Sequence, residues 1–265
     1  MKRIIAIVII ATMVNSCARN AITGRNQLSL VSESDLQAMA LVQYRQFLST
    51  NPIVSSGNSN AEMVKRVGSR VAAAVRQYYT ERGQAAALNN YNWEFNLVEN
   101  REVNAWAMPG GKVMVYTGIL PITQTEAGLS IVLAHEITHA VVGHGKERMS
   151  QEMAAQGLGS LGGAALGGNT QAGNIFNSVY GVGAQYGVLL RNSRKQELEA
   201  DRFGLIFAAA AGYDPRVAVD FWTRMAQVGN GQKPPVWASS HPSDEQRIQQ
   251  IRELMPEALK FYKPR

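Results

Sequence analysis

Two histidines and a glutamate stand close together in Ala134-His135-Glu136-Ile137-Thr138-His139. On a helix, residues four apart are separated by about 400°, one full turn plus roughly 40°. His135 and His139 therefore leave from one face, at a spacing that a single divalent cation can bridge. Glu136, beside that face, can reach a water on the cation without ligating it. The preceding run from Ala127 to Ala134 is apolar enough for a buried helix. Thr123, with Glu126 three residues on, is a candidate capping box to start it.

A hydrolytic cation takes three protein ligands and keeps a position for water. The chain has four histidines: His135, His139, His144 and His241. If the helix continues, His144 lies about 140° from the site face, so it reads as polar packing at the helix end. The metzincin pattern is excluded, because Val142 and Gly145 hold the places of its glycine and third histidine. Downstream, Ser193 and Gln196 form a second capping box, so a helix should begin there. Glu197 and Asp201 share a face of that helix, while Glu199 points elsewhere. One carboxylate can bind the metal while the other accepts a hydrogen bond from the far nitrogen of a ligand histidine and fixes its tautomer. Taken alone, the segment reads more simply as a charged, solvent-facing helix start.

His-Glu-x-x-His is the zinc metalloprotease signature. Followed by Ser-Arg-x-x-Glu-x-x-Ala-Asp, it resembles the gluzincin endopeptidases of the HtpX and CAAX-prenyl-protease type, and among them a small bacterial lipoprotein branch. Asn104-Ala-Trp-Ala-Met-Pro-Gly-Gly111, His144-Gly-Lys-Glu-Arg148 and Ser240-His241-Pro242 add to the resemblance, which runs from Asn104 to Arg252. It departs from the family where Arg191-Asn192 replaces a Pro-aromatic pair. The resemblance implies an α+β, mainly helical, zincin-like domain with a small β-sheet beside the active-site helix. It implies one Zn2+ per chain on His135, His139 and Glu197, with Glu136 as general base and Asp201 behind a ligand histidine. It brings the His241-Pro242 loop back over the site. There His241 either stabilises an oxyanion or occupies the open zinc position in a latent state, and Arg247 helps to hold the loop.

At 265 residues and 46% hydrophobic, the chain can bury a substantial core. Its formal charge of +6 is scattered, with no recognition motif for nucleic acid, so nucleic acid is not an expected partner. Cys17 is the one cysteine, which excludes an internal disulfide. Met1-Lys2-Arg3 and the apolar stretch Ile4 to Val14 form a segment too short to cross a bilayer of about 30 Å, so residues 1–16 read as a signal peptide. A cysteine directly after it resembles a bacterial lipoprotein processing site, with lipid carried by Cys17. Residues 17–30 then form a tether, and 31–265 a single metalloprotease domain. The expected location is the bacterial cell envelope, lipid-anchored and facing the periplasm, on the outer rather than the inner membrane.

Helical patterns follow from Ser34 and over 61–79, and Tyr91 to Val98 alternates as a strand. Asn104 to Met108 and Lys112 to Thr117 make a hairpin around Pro-Gly-Gly. By itself the stretch reads as plain β structure under the metal helix; the family resemblance, more than the pattern, makes Asn104, Ala105, Trp106 and Ala107 the candidate edge on which an extended substrate adds a strand through backbone hydrogen bonds. Residues 157–190 are rich in glycine, too weakly helical for a robust membrane span, and read either as a mobile flap over the cleft or as closely packed small-residue helices. The expected activity is hydrolysis of peptide bonds in unfolded or misassembled envelope proteins. Two alternatives use the same residues: a latent, chaperone-like binding protein, and a structural zinc lipoprotein.

Overall fold

The computed structural model describes residues 17–157, 171–180, 193–228, 237–238, 241 and 245–264. The expected signal peptide lies outside them, as does most of the glycine-rich stretch. The architecture is α+β and mainly helical. In chain order it runs β1 (Cys17–Arg19), β2 (Asn26–Leu28), α1 (Glu33–Thr50), α2 (Ser59–Thr80), β3 (Glu94–Val98), β4 (Ala105–Met108) and β5 (Lys112–Tyr116). Then come α3 (Glu126–Val142), α4 (His144–Ala155), α5 (Gln171–Tyr180), α6 (Arg194–Ala210), α7 (Val217–Val228) and α8 (Glu245–Leu259).

The sheet order is β3-β5-β4, with β3 parallel and β4 antiparallel to the central β5. The alternation of the strands divides the core in two. Phe95, Leu97, Ala105, Val113 and Val115 face α2, α3 and α6. Val98, Met108, Met114 and Tyr116 face α1, α4 and α5. Among the described residues no strand pairs with the outer side of β4, so the Asn104–Ala107 stretch does lie at a sheet edge.

Helix α3 is buried almost throughout, including both histidines and Glu136. Its cap is Thr125, whose side chain accepts from the Gly128 amide, and not Thr123. Leu120-Pro121 starts a separate helical turn that ends at Thr123, which takes that residue out of reach. At the other end Gly143 adopts φ 76°, the left-handed conformation that closes a helix, and α4 starts directly after it. The capping box at Ser193 is present in full.

Residues 17–30, read from sequence as a tether, fold as an antiparallel hairpin with Cys17 opposite Leu28. Asn20 Nδ2 donates to the Val142 carbonyl at 2.8 Å, and the Leu30 amide donates to Ser150 Oγ at 3.0 Å. The hairpin is thus fastened to the end of the histidine helix and to the next helix. Of the 157–190 stretch, α5 packs Ala172, Ile175, Phe176 and Val179 into the second core. No helix among the described residues is long and apolar enough to cross a membrane.

What brings the two candidate metal-binding helices together is Gly204. A Cβ there would come within 3.2 Å of the backbone of His135, so α6 lies directly on α3. Gly204→Val is expected to lower stability by about 1–3 kcal/mol through overpacking, measured by urea unfolding, and to weaken metal binding by parting the helices.

Candidate active site

The juxtaposition of α3 and α6 sets His135, His139, Glu197 and His241 around one point, all buried, with one donor atom from each lying within 4.8 Å of the others. His135 Nε2 is 3.1 Å from His139 Nε2 and 3.1 Å from His241 Nδ1. His241 Nδ1 is 2.9 and 3.0 Å from the two Glu197 oxygens. Glu197 Oε1 is 3.3 Å from His139 Nε2, and Oε2 is 3.5 Å from His135 Nε2. A tetrahedron with zinc–nitrogen bonds of about 2.0–2.1 Å has edges of about 3.3 Å, so the donors present stand on a figure of the right size.

The donor chemistry agrees. His135 Nδ1 lies 3.0 Å from Asp201 Oδ1. As the donor in that bond it turns its Nε2 lone pair towards the lone pair of a second imidazole and towards a carboxylate. Unless a metal cation or an added proton lies between the groups, such a convergence is unfavourable. Burial works against charging His135, yet Asp201 and Glu197 push its pKa up to about 9. Burial holds His139 well below its ordinary value. For Glu197 burial is overcome by His241 and the other histidines, which hold it well below the carboxylate range. These residues fit a zinc ion, with Asp201 orienting His135.

Arg247 anchors the carboxylates from behind. It donates to Asp201 Oδ1 at 2.7 Å and lies 3.0 Å from Glu197 Oε2, with its guanidinium 3.5 Å over the Trp222 ring. It holds the carboxylates themselves rather than only the loop that it was expected to secure.

Glu136 lies beside the donors. Trp237 Nε1 donates to its Oε1 at 2.7 Å, and His241 Nε2 is 3.5 Å from the same oxygen. The His241 amide donates to the Trp237 carbonyl at 2.8 Å. A single turn therefore places one aromatic side chain on Glu136 and one imidazole among the metal-binding donors. The sequence signal for Trp237 is only its spacing of four residues from His241. The Trp237 amide also donates to the Val103 carbonyl, next to the edge strand. Along that strand Ala105 is buried, and Trp106 packs edge-on against Phe47 at 5.1 Å.

His144 needs a correction. It is no ligand, but neither is it mere packing at a helix end. The helix does not continue, and the turn at Gly143 swings the ring back, fully buried, until its Nδ1 lies 2.8 Å from His139 Nδ1. Its Nε2 is 3.0 Å from Glu199 Oε2. Cys17 is exposed on the hairpin and no part of this cluster.

Residues 58–255 match the model of Peptidase family M48. The chain is 33% identical over 240 residues to the mitochondrial metalloendopeptidase OMA1 of Schizosaccharomyces pombe, covering 89% of this chain and 66% of that protein. It is 28% identical over 248 residues to the mitochondrial metalloendopeptidase OMA1 of Homo sapiens, covering 91% of this chain and 46% of that one. A putative beta-barrel assembly-enhancing protease of Vibrio cholerae is 30% identical over 219 residues, covering 79% and 42%. The chain thus spans 46% to 66% of the length of these OMA1 relatives.

Removing the arginine behind the site would take from two buried carboxylates the one guanidinium they share. Arg247→Met is expected to cost about 3–5 kcal/mol in the metal-free protein, as breaking a buried pair does, and chemical denaturation with and without zinc measures it.

Proposed function

The chain belongs to peptidase family M48, and on that premise we propose that it is a zinc-dependent endopeptidase acting on proteins of the bacterial cell envelope. The observation that carries the chemistry is the buried convergence of His135, His139 and Glu197 with the Glu136 carboxylate beside them. Zinc, when bound there, supplies Lewis acidity towards the scissile carbonyl and lowers the pKa of water. Glu136 takes the proton of the attacking water at its carboxylate and passes it to the leaving amide nitrogen. Asp201 and Arg247 keep His135 and Glu197 in position through the cycle.

Backbone pairing along Asn104, Ala105, Trp106 and Ala107 would bind an extended chain with little demand on its side chains, as β-augmentation does. Supporting this, no strand among the described residues pairs with the outer side of β4, while Ala105 and Trp106 pack towards the protein. Unfolded or misassembled envelope proteins are substrates that offer such chains. Lipid on Cys17, which is exposed at the start of the hairpin, would hold the enzyme on the periplasmic face of the outer membrane.

The contacts of Trp237 and His241 favour a resting state that is closed. His241 stands where a fourth ligand would, Trp237 covers the base, and the same turn bonds to Val103 beside the substrate edge. This is the observation that speaks for the latent, chaperone-like alternative. A structural zinc site would also use four donors, but it has no use for Glu136 buried beside them.

The test is degradation of casein by the zinc-loaded chain starting at Ala18. Glu136→Gln is expected to slow cleavage by about 10²- to 10⁴-fold, the usual worth of a general base, and chelation to abolish it. His241→Ala is expected to raise cleavage if the resting state is closed, and to lower it if the imidazole serves the oxyanion. Wild type and His241→Ala both inactive with zinc bound would favour the binding-protein alternative. Cys17→Ala should leave casein cleavage unchanged and release the full chain from the membrane fraction.

A further inference from the structure

We propose that Arg25, Glu199 and His144 form a positioning line that fixes His139 as a metal ligand, so that the N-terminal hairpin is a working part of the metal centre. The inference rests on the metal reading of the site but not on hydrolysis.

Hydrogen-bond direction decides the argument. His139 Nε2 faces the other donors, so for metal binding it must carry no proton. The proton of the neutral ring is then on Nδ1. That N–H points at His144 Nδ1, 2.8 Å away, which must accept it. His144 in turn carries its proton on Nε2 and donates it to Glu199 Oε2 at 3.0 Å. Every step has one orientation, and the line ends on a carboxylate. His135 reaches its own carboxylate, Asp201, directly. His139 reaches one through a second imidazole.

Glu199 must be held for this to work, and Arg25 holds it. The guanidinium donates from Nε to Glu199 Oε1 at 2.8 Å and from Nη2 to Oε2 at 3.1 Å. It grips Glu147 of α4 in the same bidentate way, with 2.7 Å from Nη2 to Oε2. Glu147 is also held by Gln196 Nε2 at 2.9 Å, and Gln196 belongs to the capping box of α6. The Arg25 side chain is only 14% exposed. Exposed ion pairs contribute little, but a bidentate, largely dehydrated arginine between two carboxylates is a fixed object. Arg25 mirrors Arg247, which stands behind Asp201 on the other ligand. The difference is its origin: Arg25 comes from the hairpin that starts at Cys17, and it reaches α4 and α6 across 122 and 174 residues of chain.

The experiment measures zinc affinity of the full chain by competition with a chromophoric chelator, alongside thermal unfolding of the metal-free protein. His144→Phe and Arg25→Met are each expected to weaken zinc binding by about 10- to 100-fold, the usual effect of losing a partner that orients a ligand. The double variant should be no weaker than the worse single one, because both cut the same line. Arg202→Met, which breaks the exposed pair with Glu257, should leave zinc affinity unchanged. Lowered thermal stability with unaltered zinc affinity in both variants would reduce the cluster to a structural ion pair and overturn the proposal. Additive losses would separate Arg25 from His144 and overturn the line. If Arg25→Met does not fold, Arg25→Lys and the isosteric Glu199→Gln carry the same comparison, each with an expected loss of about tenfold. Failure of the wild type to bind zinc would instead reject the metal site itself.

Discussion

Two imidazole lone pairs and a carboxylate aimed at one buried point are the constraint from which the rest of this molecule follows. Such an arrangement repels itself unless a metal cation or an added proton lies between the groups, and it spreads apart unless the scaffold is rigid. Rigidity comes from α3 and α6 touching at Gly204, whose missing Cβ lets one helix rest on the other's backbone at His135. Around that contact the sheet, α2 and α7 supply a continuous apolar core. At the site, polar groups that enter it are backed by partners, Asp201 behind His135 and Arg247 behind Asp201.

Local signals carried much of this into the sequence. His135, Glu136 and His139 are readable because their spacing is one helical turn, and Ser193 with Gln196 because a capping box is complete within four residues. The Pro-Gly-Gly turn between β4 and β5 announces its hairpin in the same way. His144 was not readable by extending the helix, because a single left-handed residue, Gly143, resets the direction of the chain. A glycine after an apolar run is nevertheless a helix-stop signal, and Gly143 is the local feature that separates His144 from the histidine helix. Thr123 and Thr125 both offer a hydroxyl near the helix start, and only the turn at Leu120-Pro121 separates them.

Arg25 lay beyond any periodicity argument. Its partners are more than a hundred residues away, and nothing in its neighbourhood distinguishes it from the other scattered basic residues. Trp237 is similar, ordinary in its own segment and given a role only where segments meet; for Arg247 the expected role is to hold the His241 loop, and its bonds to Asp201 and Glu197 appear only in the fold. Long-range polar contacts of this kind depend on topology, whereas caps, turns and helix faces depend on neighbours in the chain.

The turn that carries Trp237 and His241 has a quantitative consequence. An occupant tethered to its own site competes at an effective concentration on the order of millimolar. In the proposed resting state, a peptide at micromolar level in free solution would meet a site already filled and would seldom displace the turn. A chain that stays beside the site for a long time competes on equal terms, because it too is in effect tethered. Selectivity would then arise from how a substrate is delivered rather than from its sequence. Such an enzyme would ignore dilute bystanders and engage whatever stays unfolded beside it.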